Sequence, residues 1–104
     1  DCRVCADDLF ESRYLVDRRG FDLAVVGVYS GLRDELRSFL EKYRWDLPVV
    51  LDRRKVLFRR FRVDTVPFKA LLAGKEEVYR DDARLGLAAR REELERCLTR
   101  LLSR

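Results

Sequence analysis

The sequence contains 104 residues with a formal net charge of +4, and 47% of them are hydrophobic and 40% charged. A chain of this length has room for one domain with a modest core, and its composition predicts a globular protein with an ionised surface. Histidine is absent. Its absence excludes catalysis by a Cys–His pair and removes the ligand on which most zinc and copper sites depend.

Hydrophobic periodicity and turn residues predict elements that alternate between helix and strand. In chain order, these are a helix from Cys2 to about Arg19, a strand within Phe21 to Tyr29, a helix over Leu32 to Tyr43, a strand from Leu47 to Leu51, a helix from Arg53 to Phe61, two strands from Phe68 to Ala73 and from Glu76 to Arg80, and a helix from about Ala88 to Leu102. The turn between the last two strands makes them a hairpin. This alternation predicts a single α/β domain over residues 1–104.

Local composition makes several of these elements more specific. The run Leu23 to Val28 is apolar and favours β-structure, which predicts a strand buried on both faces. Ser30 and Asp52 stand where helices are expected to begin, and both residue types are good N-caps. The residues expected to point inward from the helix after Asp52 are Val56, Leu57 and Phe61.

The last predicted helix carries an apolar stripe, which predicts the face that it buries. The stripe consists of Leu94, Cys97, Leu98, Leu101 and Leu102. Because Cys97 lies on this stripe, it is predicted to be a small core residue.

The motif Cys2-Arg3-Val4-Cys5 carries the chemistry that the sequence suggests most directly. Two cysteines at this spacing can share the first turn of a helix, where free N–H groups favour a thiolate. Arg3 adds a positive charge beside them, which also favours the thiolate. The motif is compatible with a redox dithiol, with half of a zinc site and with an inert pair. A zinc site would need four ligands, and without histidine only Cys97 and acidic residues remain to complete one.

A basic cluster lies in the helix predicted after Asp52 and just beyond it. Its members are Arg53, Arg54, Lys55, Arg59, Arg60 and Arg62. Such a cluster can bind nucleic acid or anionic lipid. It is short, has no ladder of aromatic residues and matches no nucleic-acid module, so a solvated helix face is the favoured interpretation.

Two later segments accompany the cysteine motif. Leu47–Asp52 reads Leu-Pro-Val-Val-Leu-Asp, and Phe61–Pro67 reads Phe-Arg-Val-Asp-Thr-Val-Pro. Together with the helix that carries Cys2 and Cys5 and the inserted helix Leu32–Tyr43, they resemble the thioredoxin-fold superfamily and, within it, the TlpA-like thiol–disulfide oxidoreductases. The resemblance covers nearly the whole chain. It implies a three-layer thioredoxin-like fold, with a mixed central sheet and helices on both faces.

The resemblance also implies an enzyme that exchanges disulfides with protein partners and needs no cofactor or metal. Cys2 would be the attacking cysteine and Cys5 the resolving one. Pro67 would be a cis-proline facing the dithiol, leaving the backbone of Val66 free to pair with a substrate strand. Asp8 is a candidate proton acceptor for the resolving cysteine. The alternative for Asp8, which we favour from the sequence, is a solvated acid that complements the helix dipole.

The family's sheet contains a central strand that leads into the cysteine motif, and nothing before Asp1 corresponds to it. We therefore expect this N-terminal strand to be missing and the sequence to be a piece of a longer protein. The resemblance favours an extracytoplasmic location, with membrane attachment only through an upstream anchor. It implies an upstream thiol reductase or oxidase as a partner, and no nucleic acid.

Two other functions are compatible with the sequence. One is a redox-inactive or weakly active thioredoxin-fold interaction module, which would bind a partner through the Val66 edge or the basic helix. The other is a peroxidase of the related peroxiredoxin group. The peroxidase is disfavoured because no threonine or serine lies at the required spacing before Cys2.

Overall fold

The computed structural model describes residues 3–102, in which helices alternate with short strands. The elements are α1 (Arg3–Asp17), β1 (Gly27–Tyr29), α2 (Arg33–Tyr43), β2 (Val49–Leu51), α3 (Val56–Arg60), β3 (Ala70–Ala73), β4 (Glu76–Arg80) and α4 (Leu87–Leu102). The predicted order of helices and strands is therefore confirmed. The protein is a small mixed α/β structure.

The strands form two small sheets that are not joined by hydrogen bonds within residues 3–102. β1 and β2 are parallel, with Val28 opposite Val50. β3 and β4 are antiparallel and form the predicted hairpin, with Gly74 in its turn at a φ of 64°. A positive φ of this kind costs glycine little, which explains why the turn falls there. A single mixed sheet is not seen in this part of the chain.

The first strand is much shorter than the sequence predicts. Only Gly27–Tyr29 pairs with a neighbour, and residues 21–26 run towards it without joining a sheet. Val26 is 55% exposed and Val28 is also exposed, so the prediction of a strand buried on both faces is wrong. The reason is that β1 has a single neighbour, β2, among the described residues.

The cap of α2 also differs from the prediction. Ser30 is not the N-cap, because α2 begins at Arg33 and Leu32 occupies the capping position. The carboxylate of Glu35 accepts a hydrogen bond from the backbone amide of Leu32 at 3.0 Å. An acid at the third helical position thus satisfies the amide of the capping residue, and the predicted serine cap does not form.

Asp52 caps α3 as predicted, but it lies further from the start of the helix along the chain, because α3 begins at Val56 rather than at Arg53. The Asp52 side chain is buried, and its two oxygens accept hydrogen bonds from the amides of Val56 (2.8 Å) and Phe58 (3.0 Å). Val56 itself is exposed, so its predicted inward position is wrong. Leu57 and Phe61 are half-buried.

Replacing Asp52 by alanine is expected to lower the free energy of unfolding by about 1–2 kcal/mol, because two helix amides lose their acceptor. Urea denaturation measures the loss. Asp64→Ala is the matched control, since Asp64 is exposed and its loss should cost less than about 0.5 kcal/mol. Equal losses in the two variants would show that Asp52 does not stabilise α3.

The hydrophobic core lies between α1, the hairpin and α4. Its buried centre is formed by Leu15 of α1 with Leu94 and Leu98 of α4. The half-buried residues packed against this centre are Phe21, Leu23, Leu71 and Tyr79. The predicted stripe of α4 is thus confirmed for Leu94, Cys97 and Leu98, but Leu102 is 47% exposed and its predicted burial is wrong.

Aromatic contacts hold the end of α2 against α1. Phe10 meets Tyr43 and Trp45 edge to face, with ring centroids 6.4 Å and 6.1 Å apart. Trp45 is buried by this packing. Among the described residues, no helix is both long and apolar enough to span a membrane.

Candidate functional site

The cysteine motif lies at the start of α1. Cys5 is the third residue of this helix, is half-buried and is disulfide-bonded. Cys2 lies outside the described residues. Arg3 is exposed and forms an ion pair with Asp7 at 3.3 Å, so a carboxylate one turn away offsets part of its charge. The N-terminus of α1 also contributes positive potential at Cys5.

Asp8 occupies the next turn of α1 after Cys5 and is only 3% exposed. The prediction of a solvated acid is therefore wrong. Both carboxylate oxygens accept hydrogen bonds from the ammonium group of Lys69, at 3.1 Å and 2.9 Å. Lys69 stands two residues after Pro67, so this ion pair fixes the helix that carries Cys5 against the segment that follows the proline.

Lys69 bridges two buried carboxylates. Its ammonium group also contacts Asp81 at 2.9 Å, and the Asp81 side chain is fully buried. The same Asp81 oxygen accepts a hydrogen bond from the Lys69 backbone amide at 2.9 Å, and the Asp81 amide donates to the Lys69 carbonyl at 2.9 Å. Buried charges are stable only when they are paired and hydrogen-bonded in this way. The cluster therefore locks α1 to the open end of the hairpin.

Tyr79 completes this cluster from β4. Its hydroxyl donates to the free oxygen of Asp81 at 2.7 Å and lies 3.1 Å from the carbonyl oxygen of Arg90. Burial, followed by the hydrogen bond to the Asp81 carboxylate and its charge, raises the pKa of Tyr79 far above its usual value. The hydroxyl thus stays protonated and serves as a donor at physiological pH.

The bond between Val66 and Pro67 is cis, as predicted. Val66 is 57% exposed and Pro67 is half-buried. The Arg90 guanidinium, on α4, donates to the Pro67 carbonyl at 3.2 Å and to the Leu85 carbonyl at 2.9 Å. Arg90 thereby holds the loop around Pro67 against the start of α4.

Cys97 is placed as the sequence predicts. It is a free thiol on α4, buried in the core and 3.8 Å from the carbonyl oxygen of Val78. A buried thiol in apolar surroundings is unreactive. Cys97 is therefore a packing residue.

Four residues that connect the helix of Cys5, the hairpin and the loop of Pro67 were not predicted from the sequence. They are Lys69, Asp81, Tyr79 and Arg90. A signal was present for two of them, because the predicted hairpin places Lys69 near the start of its first strand and Asp81 just after its second. Opposite charges at the open end of a hairpin form cross-strand pairs. Nothing in the sequence pattern indicates that Asp8 would join them.

Together, these features define a mixed α/β protein in which the helix that carries a disulfide-bonded cysteine is joined, through the ion pair of Asp8 with Lys69, to the segment that follows a cis-proline. Within residues 3–102, no group of three or more cysteine or acidic residues is placed to hold a metal ion. Comparison of the chain with models of known protein families, with curated proteins and with solved structures finds no match.

Proposed function

We propose that this protein is a thiol–disulfide oxidoreductase that exchanges disulfides with protein partners through Cys2 and Cys5. The observation that carries the proposal is the position of disulfide-bonded Cys5 at the start of α1, one turn before a buried acid that Lys69 ties to the loop of Pro67. A reactive dithiol needs a helix N-terminus and a fixed neighbouring surface on which a substrate can lie. The ion pair supplies the rigid connection between the two.

The proposed fold is thioredoxin-like and of the TlpA-like type. In that fold, the two small sheets would be the two sides of one mixed sheet, separated by a central strand that precedes the cysteine motif. The free edges of β1 and β3 agree with this arrangement, since each strand has one neighbour among the described residues. The packing of α1 against α4 through Leu15, Leu94 and Leu98 agrees with a helical layer beside that sheet.

The proposed reaction begins when the Cys2 thiolate attacks one sulfur of a substrate disulfide. This step forms a mixed disulfide and releases one substrate thiolate, which takes up a proton. The Cys5 thiolate then attacks the sulfur of Cys2, forms the Cys2–Cys5 disulfide and releases the second substrate thiol. Two electrons pass from the dithiol to the substrate, and the reverse sequence oxidises a substrate dithiol.

Asp8 is the proposed acceptor for the proton that Cys5 loses before it attacks. Its carboxylate lies in the turn that follows Cys5, and a carboxylate has lone pairs beyond the two that Lys69 engages. Val66 and Pro67 form the proposed substrate groove. Arg90 is a positioning residue in this proposal, because it contacts the carbonyl of Pro67 and not the cysteines.

Equilibration with graded ratios of reduced and oxidised glutathione, followed by alkylation and mass measurement, tests the proposal. The Cys2–Cys5 pair should titrate as one two-electron couple, while Cys97 should stay reduced. Cys2→Ser should lose measurable reduction of insulin, and Cys5→Ser should accumulate mixed disulfides. The Cys2 thiol should be alkylated with a midpoint below about pH 8.5, the value of an ordinary thiol.

Cys97→Ala is the matched control for these variants, and its rate should stay within about twofold of the wild type because the thiol is buried and structural. A Cys2 that titrates as an ordinary thiol and forms no disulfide with Cys5 would refute the oxidoreductase. Binding of a partner protein with no exchange would then favour the interaction module.

A further inference from the structure

The segment between β2 and the Pro67 loop concentrates positive charge on the surface. Its cations, all exposed, are Arg53, Arg54, Lys55, Arg59, Arg60 and Arg62. Within residues 53–66, these six cations are accompanied by a single acidic residue, Asp64. This short stretch therefore carries more positive charge than the formal +4 of the whole chain.

The charge of this basic segment is not neutralised by neighbouring carboxylates. Both oxygens of the nearby Asp52 are engaged by the backbone amides that begin α3. The guanidinium of Arg59 donates to the Arg54 carbonyl at 2.7 Å, which leaves its charge unpaired. Within residues 3–102, none of the six cations forms an ion pair with a carboxylate. Several arginines elsewhere in this part of the chain do form ion pairs: Arg3, Arg13, Arg19, Arg80, Arg84, Arg91 and Arg96.

The basic segment is held next to the proposed substrate groove. The Val63 amide donates to the Phe58 carbonyl at 2.8 Å, and the Arg80 guanidinium donates to the Arg62 carbonyl at 3.1 Å. These bonds fix the end of α3 to the stretch that leads into Val66 and Pro67. Val66 is exposed at the end of this stretch, so an apolar side chain adjoins the cations.

We propose that the basic segment selects substrate proteins whose disulfides lie in acidic stretches of chain; this rests on the proposed exchange activity. Unpaired cations beside a groove attract a chain of opposite charge and raise its association rate. A nucleic acid fits less well, because the aromatic residues of the segment, Phe58 and Phe61, are half-buried and do not offer exposed rings on which bases can stack.

Two peptides test this selection, each with one intramolecular disulfide and differing only in whether the flanking residues are acidic or lysine. At low salt, the wild-type protein should reduce the acidic peptide about tenfold faster, and the ratio should approach one in 0.5 M NaCl. The double variant Arg53→Gln and Arg60→Gln should lower kcat/KM for the acidic peptide about threefold to fivefold. Reduction of an uncharged small disulfide, bis(2-hydroxyethyl) disulfide, should not change.

The matched control is Arg96→Gln with Arg100→Gln, which removes the same charge from the far end of α4 and should leave the peptide preference intact. Equal rates for the two peptides, or equal losses in the two double variants, would overturn the selection while leaving the exchange activity standing. Absence of any exchange, including exchange with glutathione, would refute the proposed function instead.

Fluorescence anisotropy at low salt tests independently of exchange whether the basic segment binds an acidic chain. The probe is a labelled acidic peptide without cysteines. Binding that the Arg53→Gln and Arg60→Gln variant weakens and the α4 control retains supports an acidic partner, and no binding overturns it. A single-stranded oligonucleotide is measured in the same way. Tighter binding of the oligonucleotide than of the peptide would also overturn the proposal, because the segment would then be a nucleic-acid site.

Discussion

Replacing Lys69 by methionine is expected to lower the free energy of unfolding by about 3–5 kcal/mol. Methionine matches the length of the lysine stem, so the change mainly removes the ammonium group that Asp8 and Asp81 share at 2.9 Å. The two buried carboxylates would then face each other without a cation. Chemical denaturation of the oxidised protein measures the loss, and the circular dichroism spectrum shows whether the variant folds.

A matched exposed ion pair provides the control for this measurement. Arg84 is 89% exposed and pairs with Asp82 at 2.9 Å, so Arg84→Met should cost less than about 1 kcal/mol. Adding Asp8→Asn to Lys69→Met should restore part of the lost stability, because it removes one of the two unpaired charges. A loss for Lys69→Met no larger than that for Arg84→Met would contradict a stabilising role for the cluster.

The second large effect is expected in the core. Leu98 is 2% exposed at the centre of the contact between α4 and α1. Leu98→Ala should lower the free energy of unfolding by about 2–5 kcal/mol, through lost burial and the cavity that remains. The transition midpoint in urea should fall with little change in slope, since the surface exposed on unfolding stays nearly the same.

Leu102→Ala in the same helix is the control, because Leu102 is 47% exposed and its truncation removes little buried surface. The expected cost is within about 0.5 kcal/mol. Similar losses for the two leucines would place the core of this protein elsewhere than between α1 and α4.

Local sequence signals predict the elements of this fold well where packing agrees with them. β4 has the predicted bounds, and α4 begins one residue earlier than expected. The prediction is wrong where burial depends on a neighbour that no local pattern can supply. Leu23–Val28 has the composition of a central strand, yet only Gly27–Tyr29 pairs, because a single strand flanks it among the described residues.

In the candidate site, too, features that depend on adjacent residues could be predicted, and features that depend on residues far along the chain could not. The position of Cys5 at the start of a helix and the cis bond before Pro67 could be predicted, since both depend on short stretches of sequence around those residues. The surroundings of Asp8 could not. Its burial depends on Lys69, which lies 61 positions further along the chain, and a helix pattern alone cannot distinguish a buried acid from a solvated one.

The irregular pairing of the hairpin decides which charge Lys69 meets. Near the turn, Ala73 faces Glu76 and Leu72 faces Glu77, whereas beyond the irregularity at Leu71/Leu72 Ala70 faces Arg80. β4 therefore uses one more residue than β3 over this stretch, as in a β-bulge. Continued without that extra residue, the pairing would bring Lys69 opposite Arg80, so two cations would meet where an ion pair now stands. The number of residues between Lys69 and Asp81 therefore has to be kept for this ion pair to form, which amino-acid composition alone would not reveal. A single insertion or deletion between them would separate α1 from the hairpin.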